Sequence, residues 1–188
     1  MYGWVVERCA SDFYAKDEWK GLEMNLVDTS DLEGALRRVY GQIPSGVLAL
    51  GASVSGQLVG MAVSSFSTVS LDPPLLAVNI RNESTTWPHL AKSERIGISL
   101  LAHHQGEAGR QLSGPDLGTR FTNIEHVVDD SGAVFLTDAL LWMDATHYDS
   151  LEAGDHTIHL LRLERTAEAE IGSPLVFHRS RFTVVVEE

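Results

Sequence analysis

The feature that most constrains the fold is a succession of strand-like segments joined by short connections. Two of these segments, 46–54 and 57–63, are apolar and flank Ser55-Gly56, which has the composition of a hairpin turn. The other strand-like segments cover 75–80, 95–101, 133–151, 156–170 and 174–186. Because strands and helices do not alternate regularly, the sequence predicts a mainly β fold, a closed or partly closed antiparallel barrel, rather than a doubly wound sheet.

A few short helices are expected between the strands, at 30–43, 84–93 and 103–114. The first opens with a capping box formed by Ser30 and Glu33. Its apolar residues recur at helical spacing and predict a packed helix face, namely Leu32, Leu36, Val39, Tyr40 and Ile43. Residues 1–29 have no clean period, so we predict a partly ordered N-terminal extension followed by one domain over 30–188.

Charge and cysteine content exclude several classes of protein. The net charge is −12, which disfavours binding to a nucleic acid backbone. Cys9 is the only cysteine, so no internal disulfide can form, and a reducing cytoplasmic location fits. No apolar run approaches the ~20 residues that span a bilayer, and the acidic start predicts no signal peptide.

The segment 64–76, "SSFSTVSLDPPLL", places five hydroxyl side chains between two apolar runs. One interpretation is a polar turn whose hydroxyls bond to nearby backbone. The other is a wall of a ligand site, since hydroxyls and backbone N–H groups can hold a polar or anionic ligand. The residues alone leave both interpretations open.

A second polar segment, "RNESTTWPHL" at 81–90, follows the strand 75–80. Ser84 or Thr85 stands where a helix N-cap belongs, and Arg81 adds positive charge. The segment is either a simple cap or, with its free N–H groups, an anion site. Because 64–76 and 81–90 flank the strand, one at each end, a ligand lying along it could touch both.

Histidines are frequent, but their spacing does not favour a metal site. His156 and His159 are three apart on a predicted strand and therefore point to opposite faces. No HExxH, Walker, GxGxxG or GxSxG motif is present. The turn before His156, Gly154-Asp155, makes this residue either a turn histidine or an imidazole near a ligand.

Taken in order, four segments resemble the short-chain flavin reductases, the reductase partners of two-component flavin monooxygenases. They are "PSGVLALGASVSGQLVGMAVSSFSTVSLDPPLLAVNI", "STTWPHLAKSERIGISLLAHHQ", "GDHTIHLL" and "PLVFHRSRF" within residues 31–186. The resemblance implies an FMN-binding, Greek-key split β-barrel, usually a homodimer. It also implies NADH or NADPH as hydride donor, FMN or FAD as acceptor, and diffusion of reduced flavin to a monooxygenase.

The resemblance also implies roles for individual residues. His156 would lie near the nicotinamide and serve catalysis by positioning it. The flavin ring would lie along Ala62, Val63, Ser64 and Ser65, with Ser70 toward the ribityl-phosphate side. The ribityl or phosphate end would be held by Arg81, Asn82, Ser84 and Thr85. Arg120-Phe121 and Arg181 would lie near the cofactor mouth.

The chain departs from the family at Ala62, where threonine is frequent, so one hydroxyl contact to the ring is absent. Two alternatives to a flavin reductase stay open. One is a split-barrel protein with tightly bound flavin that acts as an oxidase, another reductase or a flavin carrier. The other is a barrel that serves only as an interaction module.

Overall fold

The computed structural model describes residues 35–169 and 172–185, so the predicted extension 1–29 and capping box lie outside the described residues. The strands are β1 Ser45–Gly46, β2 Leu48–Val54, β3 Gln57–Val63, β4 Phe66–Leu71, β5 Pro74–Arg81, β6 Ile96–Leu100, β7 His126–Val128, β8 Val134–Leu136, β9 Leu141–Ala153, β10 His156–Glu168, β11 Leu175–His178 and β12 Arg181–Val184. The α-helices are α1 Leu36–Tyr40, α2 Trp87–Leu90 and α3 Gly106–Leu112. Single 3₁₀ turns occupy His103–Gln105 and Leu117–Thr119.

Seven strands form the main sheet in the order β3-β2-β6-β9-β10-β5-β4. Two smaller sheets have the orders β1-β11-β12 and β7-β8. Every pairing between these strands is antiparallel. The prediction of a mainly β, antiparallel fold with a few short helices is therefore confirmed.

The predicted hairpin at 46–63 is confirmed, since β2 and β3 pair from Leu48–Val63 to Val54–Gln57. Both residues of its turn have positive φ, 52° at Ser55 and 77° at Gly56. A two-residue turn of this conformation matches the twist of the strands on either side. The turn composition thus predicted the correct pairing.

The main sheet separates two apolar clusters, which explains the unbroken apolar run in β2. Leu48 and Leu50 pack in one cluster with residues of β5, β6 and α2. Ala49 lies in the other cluster, with residues of α3 and β8. Because successive side chains of a strand point to opposite faces, a strand buried on both faces needs apolar residues throughout.

One close approach of backbone fixes β8 against the sheet. Gly51 and Gly97 are paired on β2 and β6, and Val134 of β8 lies directly over both. A Cβ atom at Gly97 would overlap the backbone of Val134, which cannot move aside as a flexible side chain could. The glycines are therefore required for β8 to close this side of the core.

The expected packed face of the first helix is wrong for its last residues: α1 is five residues long, and Val39, Tyr40 and Ile43 are 46%, 64% and 69% exposed, while Leu32 lies outside the described residues. Of the two interpretations left open for the segment beginning at Ser64, the polar turn does not hold, because Phe66–Leu71 forms the edge strand β4. Only one side of β4 is partly covered, so its polar composition suits an edge strand.

Candidate active site

A pocket of about 580 Å³ opens where β3, β5 and β10 expose their ends on one side of the main sheet. Its volume lies within the range of small-molecule sites, roughly 300–1,000 Å³. It is lined by Met61, Ala62, Val63, Ser64, Ser65, Asn79, Ile80, Arg81, Glu83, Ser84, Thr85, Thr86, Leu112, Ser113, Arg120 and His156. Nine of the site residues that the resemblance implied therefore meet in one place.

Antiparallel pairing brings the hydroxyl groups of 64–65 to the pocket. The backbone carbonyl of Ser65 accepts a hydrogen bond from the backbone N–H of Asn79 at 2.8 Å, and the Ser65 hydroxyl donates to the backbone carbonyl of Asn79 at 2.7 Å. Ser65 therefore lies beside the last residues of β5, at the same end of the strand as Arg81. The expectation that the two polar segments stand at opposite ends of strand 75–80 is wrong, because β4 runs back along β5.

The segment after β5 forms the polar wall of the pocket. Arg81 is exposed and forms an ion pair with Glu83 at 3.2 Å, a weak interaction in solvent. The hydroxyl of Ser84 accepts a hydrogen bond from the backbone N–H of Trp87 at 3.1 Å. Because α2 has only four residues, it contributes little helix dipole, and any anion there depends on the side chains.

Arg120 is a buried cation in the pocket wall, 8% exposed. Its guanidinium donates to the carbonyl oxygens of Gly60 at 2.8 Å and Gly114 at 2.6 Å, and to the hydroxyl of Thr86 at 2.7 Å. None of these partners carries a negative charge. Burial lowers the pKa of Arg120, so its charge is poorly compensated and favours an anionic ligand nearby.

His156 begins β10 at the rim of the pocket and pairs with Arg81 across the sheet. Its Nδ1 atom lies 2.7 Å from a carboxylate oxygen of Asp155. This hydrogen bond lowers the pKa of Asp155, which is fully exposed. The carboxylate orients the ring through Nδ1, and Nε2 does not bond to Asp155.

A second histidine of β10, His159, lies in the core on the other face. It is 9% exposed, its ring centroid is 4.2 Å from that of Trp87, and its Nδ1 atom has no hydrogen-bond partner among the described residues. Burial, with a smaller contribution from His147, lowers the pKa of His159 to about 4. The prediction that His156 and His159 point to opposite faces is confirmed.

Four predicted site residues lie outside this pocket. Ser70 pairs with Leu75, at the far end of β5, and Arg181 begins β12 in the small sheet. Phe121 is buried against Gly60 and lines a neighbouring cavity of about 590 Å³. Asn82 follows β5 but bonds to Gly154 in the turn between β9 and β10 and to Thr157 in β10.

Several lining residues had no signal in the sequence. Leu112 and Ser113 end α3, and Asn79 and Ile80 belong to an apolar strand. Thr86 was part of the hydroxyl segment, but its bond to Arg120 spans 34 positions. Only the folded sheet brings these residues together.

Within the described ranges, no cluster of three or more His, Cys, Asp or Glu side chains could hold a metal ion. The same residues include no helix with the length and apolar character needed to cross a membrane.

Comparison with known proteins identifies the family. The domain described as "Flavin reductase like domain" matches residues 40–185. A flavin reductase from Pseudomonas putida is 31% identical over 147 residues, 78% of this chain and 86% of that protein. The reductase subunit HsaB of a flavin-dependent monooxygenase from Rhodococcus jostii is 28% identical, over 78% of this chain and 75% of that protein. The chain spans 42% and 56% of two longer relatives from Rhizobium meliloti.

The same fold occurs in solved structures. An NADH:FAD oxidoreductase from Streptomyces globisporus, solved with NAD and FAD fragments, has a TM-score of 0.79 and 28% identity. The match covers 86% of this chain and 97% of that chain. The predicted split-barrel fold is thereby confirmed. The chain belongs to the flavin reductase-like family.

Proposed function

We propose that this protein is an NADH- or NADPH-dependent flavin reductase that reduces FMN or FAD and supplies the reduced flavin to a partner monooxygenase. The observation that carries the proposal is the single pocket that combines Ser64, Ser65, Ser84, Thr85 and His156. The similarity to proteins named as flavin reductases, reductase subunits and oxidoreductases also supports the proposal.

The chemistry of the pocket fits a flavin. Met61, Ala62 and Val63 offer an apolar surface with backbone polar groups, which suits a flat aromatic ring with polar edges. The hydroxyls of Ser84 and Thr85, with Arg81 beside them, suit a polar chain ending in phosphate. Ring and phosphate would thus meet different parts of one continuous wall.

When bound, the flavin supplies the redox chemistry, since its ring accepts a hydride from a reduced nicotinamide. The protein's part is to hold the two rings at reacting distance and to exclude water. Hydride transfer needs no acid or base from the protein, which agrees with the described lining of the pocket, where Glu83 is the one carboxylate. His156 at the rim would position the nicotinamide, and the charge of Arg120 would stabilise negative charge on the ligand.

We further propose that the protein acts as a homodimer in the cytoplasm. The family resemblance supports the dimer, and large apolar side chains on the strands are exposed in the single chain: Val69, Leu71, Tyr148 and Leu151 are 51%, 95%, 50% and 66% exposed. Such exposure is typical of surfaces that pack against a second subunit. The single cysteine supports a reducing location. Light scattering at micromolar concentration tests the dimer, and a monomer there would contradict it.

The activity is tested by mixing the protein anaerobically with FMN or FAD and then with NADH or NADPH. We expect loss of the oxidised flavin's visible absorption with at least one pair, and transfer of reduced flavin across a dialysis membrane to an acceptor. No loss with any pair would contradict the proposal. Reduction of a flavin that never leaves the protein would contradict its supply role and favour a tightly bound flavin instead.

A further inference from the structure

Asn82 connects the end of β5 to the turn that carries His156. Its backbone N–H donates to the Asp155 carbonyl at 3.0 Å, and its side-chain amide donates to the Gly154 carbonyl at 3.1 Å. Its side-chain oxygen accepts from the hydroxyl of Thr157 at 2.9 Å. These three bonds reach the residues on both sides of His156.

Asn82 lies just beyond the end of the β5–β10 ladder, so its bonds extend the connection between the two strands. The ladder between β10 and β5 ends at the pair His156–Arg81, so Asn82 is the first residue beyond it. On its other side β10 pairs with β9 in the described sheet, and the pairing of β9 with β6 covers Leu141–Ala145. The tip of the β9–β10 hairpin is therefore anchored to the rest of the sheet by β5 and Asn82.

The conformation of the Gly154-Asp155 turn sets the position of His156. Gly154 is the first central residue of a tight two-residue hairpin turn and has a φ of 66°. Glycine adopts this φ without strain because it has no side chain. Asp155 in the same turn holds the ring of His156. A shift of the turn would therefore move both the imidazole and the carboxylate that orients it.

The side chain of Asn82 is not free to hold a flavin in this arrangement. Its amide nitrogen donates to Gly154 of the turn and its amide oxygen accepts from Thr157 of β10, and it does not line the pocket, although Arg81, Glu83 and Ser84 around it do. The role implied by the family resemblance, binding the ribityl or phosphate end, has no support in these contacts.

From this juxtaposition of Asn82 with Gly154, Asp155 and Thr157, we infer that Asn82 is a positioning residue that fixes His156 against the nicotinamide. This inference rests on the proposed function. It predicts that Asn82 affects the hydride-transfer step and leaves flavin binding unchanged, because its contacts run to the turn and not to the pocket.

The kinetic test compares Asn82→Ala and Thr157→Val with Thr146→Val. Thr146 of β9 donates a similar exposed hydrogen bond to Glu164 of β10, away from the pocket, and is the matched control. We expect Asn82→Ala to lower the rate of flavin reduction roughly tenfold and Thr157→Val about threefold, with flavin affinity and the Thr146→Val rate unchanged within about twofold. A fall in flavin affinity as large as the fall in rate would overturn the inference.

A double-mutant cycle tests whether Asn82 acts through His156. Because the effect of Asn82 is carried by the imidazole, Asn82→Ala should cause no further loss of rate in a His156→Ala background. Independent, multiplying losses would show that Asn82 acts in some other way and would overturn the inference.

A readout without flavin separates this inference from the proposed activity. In the flavin-free protein, ¹⁵N relaxation should give lower backbone order parameters at Asp155 and His156 in Asn82→Ala than in the wild type, and unchanged values in Thr146→Val. Unchanged order at the turn overturns the inference even in an active enzyme. Loss of order in a protein that reduces no flavin would preserve the anchoring and refute the reductase function.

Discussion

Two histidines of β10, three residues apart, have opposite environments. His156 stands at the rim of the pocket, pairs with Arg81 across the sheet and bonds to an exposed carboxylate. His159 pairs with Val78 and packs on Trp87, and within residues 35–169 and 172–185 its Nδ1 atom has no hydrogen-bond partner. The two rings differ in solvent access and partners, although the residue type and the strand are the same.

The difference teaches that the face of the strand decides which chemistry a histidine can perform. On the pocket face, an imidazole can meet a ligand and be oriented by Asp155. On the core face, the desolvated ring is held neutral, and its pKa falls to about 4. We therefore expect substitution of His156 to change catalysis and substitution of His159 to change stability.

The largest expected effect is on the pocket side. His156→Ala should lower the rate of flavin reduction by 30- to 100-fold, roughly the effect of misplacing a reacting ring by one ångström. Flavin affinity should change by less than about twofold, since the ring site does not depend on this residue. Stopped-flow reduction at saturating nicotinamide measures the rate, with His159→Phe as the control that keeps it. An unchanged rate in His156→Ala would contradict the assignment of His156 to catalysis.

The next effect is on the core side and depends on pH. The pKa of His159 is lower in the folded chain than its ordinary value of 6.5, so the unfolded chain binds a proton first as the pH falls. The stabilisation from the neutral ring is complete above pH 6.5 and is lost between pH 6.5 and about 4, by up to about 1.4 kcal/mol per pH unit. Between pH 7 and pH 5, the wild type should therefore lose about 2 kcal/mol more than His159→Phe.

Urea unfolding at the two pH values measures this difference, because the free energy of unfolding follows from the midpoint and slope. Ser70→Ala, which removes no ionisable group, is the control and should keep the pH dependence of the wild type. Equal losses in the wild type and His159→Phe would mean that His159 is not held neutral by the core.

A smaller effect separates the nicotinamide side of the pocket from the flavin side. Replacing Ser84 and Thr85 together by Ala should weaken FMN binding about tenfold, since two hydrogen bonds to a charged phosphate are lost. Riboflavin, which has no phosphate, should lose less than about twofold by the same argument. Fluorescence titration of both ligands measures the ratio, and equal losses would exclude contact with the phosphate.

The smallest effect is expected at Ser70. This residue lies beside Leu75 at the other end of β5, so Ser70→Ala should leave FMN affinity within about twofold of the wild type. Ser65→Ala is the matched variant at the pocket end, where the hydroxyl donates to Asn79. A larger loss of affinity in Ser70→Ala than in Ser65→Ala would contradict the position of the pocket.

Local sequence patterns predicted the parts of the fold that depend on neighbours in the chain. Ser55-Gly56 between two apolar runs predicted the hairpin because its pairing is entirely local. The edge strand β4 was missed because its exposed side carries the serines that also favour turns. The helical spacing around Val39 and Tyr40 did not indicate burial, since the helix is only five residues long.

The site was predictable only where a motif carried it. The resemblance brought Ser64, Ser84 and His156 together, and the pocket contains all three. The contacts of Arg120 with Gly60 and of Asn82 with Thr157 span 60 and 75 positions. Periodicity in the sequence cannot predict contacts between such distant positions. The hydrogen bonds of these two side chains were therefore found only in the folded structure.

The central place of β10 has a consequence for how the protein is made. β5 needs β10 as its second neighbour, and the bond that joins Asn82 to Thr157 spans 75 positions. During synthesis, an emerging chain therefore holds β5 with one open edge until the β10 segment leaves the ribosome. An exposed apolar strand edge is a template for pairing with other chains. Growth conditions that slow translation between these segments should therefore favour aggregation of the nascent protein.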